Sequence, residues 1–62
     1  MENNKEVNIA KIHQKANSQL NYIKLTLPDK GYVDIIIEEG NFRVYYSKVL
    51  DGWVPYRHKK LI

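Results

Sequence analysis

The chain has no cysteine, one tryptophan, two prolines and three glycines among its 62 residues. Without cysteine there is no disulfide to brace a small fold and no thiolate to hold a metal. No apolar run approaches the roughly 18 residues of a membrane-spanning helix. The opening Met1-Glu2-Asn3-Asn4 is polar, and no signal-peptide core follows it. The expectation is a cytoplasmic protein with no membrane partner, in the host cell cytoplasm if phage-encoded. A chain this short buries little apolar surface, so one compact core or self-association must stabilise it.

Patterns that carry chemistry are also missing. His13 and His58 stand far apart in sequence and have no third ligand with metal-site spacing. Glu38 and Glu39 are strand neighbours that point to opposite faces, so they cannot act as a carboxylate pair. Asp29 and Asp51 have structural roles as turn residues. Ser47 meets His58 in only one strand register, with no third group to orient the imidazole. The expectation is no enzyme, no catalytic residue, no metal and no cofactor.

What is present is β-pattern. Val33, Ile35 and Ile37 alternate with Tyr32, Asp34, Ile36 and Glu38, the period of a strand with one buried face. Gly40-Asn41 reads as a two-residue turn, because both residues tolerate positive φ. That turn predicts Glu38 opposite Arg43, Ile37 opposite Val44 and Ile35 opposite Tyr46. Upstream, Ile23, Leu25 and Leu27 alternate with Tyr22, Lys24 and Thr26. The Pro28–Gly31 stretch reads as a turn that sets Leu25 opposite Ile35 and Leu27 opposite Val33. Downstream, Asp51-Gly52 signals a third turn. Pro55 sends the last strand to a sheet edge, since proline donates nothing to a ladder. Its register is open between a two-residue turn, pairing Val49 with Val54, and a bulge that swaps the faces. The face of Trp53 is open with it.

Before the strands, Ile9, Ile12, Ala16 and Leu20 recur at helical spacing. Asn3 and Glu6 suit a capping box. Ala16 is small, which lets the helix sit close to a sheet. The predicted fold is α+β: an N-terminal helix packed on a four-stranded antiparallel β-meander. It is one small domain over residues 1–62, with a helix at about 3–20 and strands at about 22–28, 32–39, 42–49 and 53–58.

The sheet face away from the helix is the candidate binding surface. Tyr32, Tyr45, Tyr56 and Trp53 would stack on bases, and Arg43, Lys48, Arg57, Lys59 and Lys60 would neutralise phosphates. His58 belongs to the basic run Arg57-His58-Lys59-Lys60. Tyrosine also occurs on strands for β-propensity alone, and Asp34 and Glu38 on the same face count against nucleic acid. The net charge of +3 permits such a partner without requiring it.

Two local likenesses lie in the same region. The short helix, the strands and Tyr56-Arg57-His58 look like the layout of bacterial Sm-like RNA chaperones, but that family's strand-two glycine and Asn-Gly turn are missing. Tyr45-Tyr46 followed by Asp51-Gly52-Trp53-Val54-Pro55 resembles the hairpin of single-stranded-DNA-binding transcriptional coactivators. Both resemblances imply nucleic acid, and neither transfers site residues. The abundance of Lys, Asn and Ile, which share AT-rich codons, points to a low-GC bacterium or its phage. The expected function is a small non-enzymatic nucleic-acid-binding module, with single strands favoured. The alternative is a phage-type inhibitor that binds a host defence or transcription protein through its exposed sheet face or edge. An open edge also allows a homodimer.

Overall fold

The computed structural model describes residues 8–62. Helix α1 (Ile9–Asn17) and a single 3-10 turn (Leu20–Tyr22) precede β1 (Lys24–Leu27), β2 (Lys30–Ile37), β3 (Gly40–Val49) and β4 (Gly52–Lys60). The four strands form one antiparallel sheet in the order β1-β2-β3-β4, with α1 packed over β2 and β3. The α+β meander read from the sequence is therefore the fold.

The helix is shorter than the pattern suggested. Asn8 caps it, its Oδ1 accepting from the Lys11 N–H at 3.2 Å. The Asn3–Glu6 capping box lies outside the described residues. At the other end the Ser18 hydroxyl donates to the Lys15 carbonyl at 2.6 Å, and the chain tightens into the 3-10 turn. That turn takes Tyr22 out of the first strand. Ile12 and Ala16 are fully buried and meet Val33, Ile35, Phe42, Val44 and Tyr46 from the sheet. Leu20, Ile23, Ile37 and Trp53 pack around this core. Burying a side chain of this kind contributes roughly 1.5–3 kcal/mol, so the central β2–β3 hairpin under α1 holds most of the fold.

The registers differ from the predicted ones in an instructive way. All three turns have two residues, Pro28-Asp29, Glu38-Glu39 and Leu50-Asp51, because Leu27 pairs with Lys30, Ile37 with Gly40 and Val49 with Gly52. Positive φ falls on the glycine after two of these turns, at 137° for Gly40 and 148° for Gly52, so no side-chain-bearing turn residue has to adopt it. Arg43 consequently pairs with Asp34, four residues before the predicted Glu38, and Ile35 pairs with Phe42 rather than Tyr46. An even slip changes every partner and leaves every side chain on its face. The predicted core therefore survives a wrong turn.

The edges diverge more. Leu25 pairs with Gly31 and Leu27 with Lys30, across a bulge. Gly31 permits this close approach, since a Cβ there would stand 2.8 Å from the Lys24 carbonyl oxygen. Leu25 and Leu27 stay exposed because α1 covers β2 and β3 instead of β1. On the other side, Lys48 pairs with Trp53 and Tyr46 with Pro55, then Tyr45 with Arg57 and Val44 with His58. Tyr56 is the extra residue of a bulge. The predicted Val49–Val54 pair does not form: Val49 faces Gly52 and Ser47 faces Val54, a slip of two that keeps the face of each residue up to Pro55, and the bulge beyond it swaps the faces. Pro55 does lie on an edge strand, its ring nitrogen turned away from β3 by the alternation of the ladder.

Candidate nucleic-acid interface

The sheet alternation splits the predicted site residues into two groups. Tyr32, Arg43, Tyr45, Arg57 and Lys59 occupy register positions on the face opposite α1. The bulge brings the Tyr56 ring to the same face. Lys48, Trp53, His58 and Lys60 pair with or lie among the core-facing positions of β3 and belong to the helix side. Trp53 packs on the core there, with the Lys48 ammonium 5.6 Å from its ring centre. These four are removed from a shared surface with the tyrosines.

On the open face three tyrosine rings form a row across β2, β3 and β4. The centres of Tyr32 and Tyr45 are 6.3 Å apart, as are those of Tyr45 and Tyr56, with planes inclined by 53° and 45°. The Tyr56 bulge completes the row by turning a third ring toward Tyr45. The Arg43 guanidinium carbon lies 4.1 Å above the Tyr32 ring and that of Arg57 lies 5.3 Å above Tyr45. Such cation–π contacts hold the guanidinium planes near the rings.

Asp34 grips Arg43 at both ends: Nε donates to Oδ1 at 2.8 Å and an Nη donates to Oδ2 at 3.2 Å. That hydrogen bonding, and the carboxylate charge after it, raises the Arg43 pKa above the ordinary guanidinium value. The carboxylate that counted against an anionic ligand is thus already occupied. Glu38 leaves this face altogether. It sits in the turn, 3.8 Å from the Lys11 ammonium of α1, and Glu39 is bound by the same ammonium at 3.2 Å.

The open face also gains cations. Lys24 pairs with Tyr32, and Lys30 lies opposite Ser47, donating to its hydroxyl at 3.3 Å. Lys30 is the residue that sequence reasoning missed. The sequence pattern assigns it to a turn, although its spacing of two from Tyr32 marks it for this face. Lys24, Lys30, Arg43, Arg57 and Lys59 therefore share this face with a single strand carboxylate, Asp34.

The two histidines do not stay apart. His13 on α1 and His58 on β4 meet edge to face with ring centres 6.4 Å apart. No group of three or more potential metal ligands occurs among the described residues. Ser47 is on the open face opposite Val54 while His58 is on the helix side, so the two do not meet. No helix among the described residues is long and apolar enough to cross a membrane.

No protein-family model, curated protein or solved structure matches this chain.

Proposed function

We propose that this chain is a small non-enzymatic module that binds single-stranded nucleic acid across the open face of its sheet. The observation that carries this reading is the tyrosine row, Tyr32, Tyr45 and Tyr56, with guanidinium groups over two of its rings. Flat apolar rings take unstacked bases at roughly 1–3 kcal/mol per base. Lysine and arginine on the same face release the counterions of the phosphate backbone. A duplex hides its base faces within the stack, which gives this surface its preference for single strands. The rings stand on the three strands β2, β3 and β4, so most of the platform is ordered before a ligand arrives.

The test is fluorescence anisotropy with labelled single-stranded and duplex DNA and RNA, titrated at low and physiological salt. Single strands bind more tightly than duplex and retain binding at physiological salt. Replacing Lys59 by alanine lowers the slope of log affinity against log salt by about 0.7, one phosphate contact to a single strand. Lys60→Ala, on the other side of the sheet, leaves the slope unchanged. Binding confined to low salt, or equal losses in the two variants, would refute the assignment of the open face.

A further inference from the structure

The two sheet edges are unequally covered. β1 accompanies β2 only from Lys30 to Tyr32, where Lys24 ends the pairing. From Val33 to Ile37, β2 has no strand on that side among the described residues. The ladder fixes which backbone groups this leaves. The Lys48 N–H donates to the Asp29 carbonyl at 2.8 Å, one register step before Lys30–Ser47. Stepping by two along β2, the groups of Gly31, Val33, Ile35 and Ile37 turn toward β3. Those of Asp34 and Ile36 turn outward. Backbone donors and acceptors of this kind are templates for another strand.

A groove of about 500 Å³ lies at the turn end of this edge, lined by Lys11, Gln14 and Lys15 of α1, by Ile36 and Ile37 of β2 and by Glu38 of the turn that follows. Lys11 is held at the turn end by Glu38 and Glu39. Lys15, one helical turn further on, is exposed. On the sheet side Ile36 is 74% exposed, an apolar group with no cover.

We propose that this edge accepts an acidic extended segment of a partner protein as an added strand, in line with β1 and alongside Val33–Ile37. Strand addition takes affinity from main-chain hydrogen bonds and specificity from alternate side chains. Carboxylates at the positions facing α1 would meet the exposed Lys15, while Lys11 stays with Glu38 and Glu39 at the turn end. Apolar residues between them would cover Ile36 on the opposite face. The five-residue window spans roughly 17 Å, the length of an ordinary strand. A second copy of the chain fits less well. Its own edge places only Val33, Ile35 and Ile37 on the helix side, with Asp34 on the other face, and so offers no carboxylate to Lys15. The site is separate from the tyrosine row and does not depend on nucleic-acid binding.

The probe is a blocked peptide of alternating Glu and Val, with an alternating Lys and Val peptide for comparison, titrated into the isotope-labelled full chain and followed by amide NMR. The Glu peptide should shift the Asp34 and Ile36 amides and slow their exchange, whereas the Lys peptide should not. Ile36→Pro removes an outward N–H without touching the β2–β3 ladder. It should weaken the Glu peptide by about tenfold, the scale of one lost hydrogen bond. Lys15→Glu should reverse the preference between the peptides, which keeps the test decisive if the proline variant does not fold. The proposal fails if neither peptide binds, or if neither variant changes the binding. It fails equally if the shifts fall only on Tyr32, Tyr45 and Tyr56. Protection of Asp34 and Ile36 that grows with protein concentration in the absence of peptide would assign the edge to a second copy instead.

Discussion

Tyr45 and Tyr46 are neighbours in the chain and opposites in the structure. Tyr46 is wholly buried beneath α1, and its hydroxyl donates to Asn17 Oδ1 at 2.7 Å. Tyr45 lies on the open face between two other rings, with a guanidinium above it. The same side chain is a structural pin in one case and a candidate ligand platform in the other. What separates them is one step of strand alternation and a helix on only one side of the sheet. Residue type alone therefore says little about the role of an aromatic here, and the face says nearly everything.

The difference can be driven apart by substitution. Phe42, on the covered face, is almost completely buried. Phe42→Ala should cost about 3–5 kcal/mol through lost burial and the cavity left behind. In a domain of this size that is enough to unfold much of the population, measured by urea denaturation. A loss below about 1 kcal/mol would mean that the sheet is not held from that side.

Tyr45→Ala should invert the pattern. Single-strand affinity falls by about 1–3 kcal/mol, the scale of one stacked base. The urea midpoint moves far less than for Phe42→Ala, because the ring is only half-buried. Retained affinity with lost stability would reassign the tyrosine row to the fold alone.

The smallest and most specific effect belongs to the Tyr46 hydroxyl. Tyr46→Phe removes one hydrogen bond to an exposed asparagine and should cost roughly 0.5–1.5 kcal/mol. Its pH dependence sharpens the point. Burial raises the Tyr46 pKa above its ordinary value of 10.0. The folded state then keeps the phenol proton more tightly than the unfolded chain does. The stabilisation linked to this group is complete below pH 10.0 and declines as pH rises through the folded-state value. Alkaline titration of thermal stability should show this decline in the parent protein and a shallower one in Tyr46→Phe. Matching profiles would mean that Tyr46 plays no part in the alkaline loss.

The wrong turn and the right core have the same cause. The sequence marks Gly40 as a turn glycine, but it follows the turn instead of forming it. The resulting four-residue slip preserved parity, so Val33, Ile35, Phe42, Val44 and Tyr46 still met under the helix. Parity also kept Tyr32, Arg43 and Tyr45 together on the open face. It could not help on β4, where a bulge changes parity midway. The bulge turns His58 and Lys60 to the helix side, whereas Lys48 on β3 and Trp53 opposite it lie before the bulge and reach that side by plain alternation with Phe42, Val44 and Tyr46.

Period and spacing are properties of the sequence itself. They determined one helix, four strands, the buried stripe and the proline-bearing edge, because each follows from local geometry and the need to hide apolar side chains. The partner of Arg43, the bulge at Tyr56, the approach of His13 to His58 and the early end of β1 were decided only in three dimensions. Each depends on groups that are distant along the chain competing for one surface. The helix covers one face of β2 and β3, which leaves the tyrosine face open, and β1 accompanies β2 only as far as Tyr32, which leaves the edge beyond it without a strand.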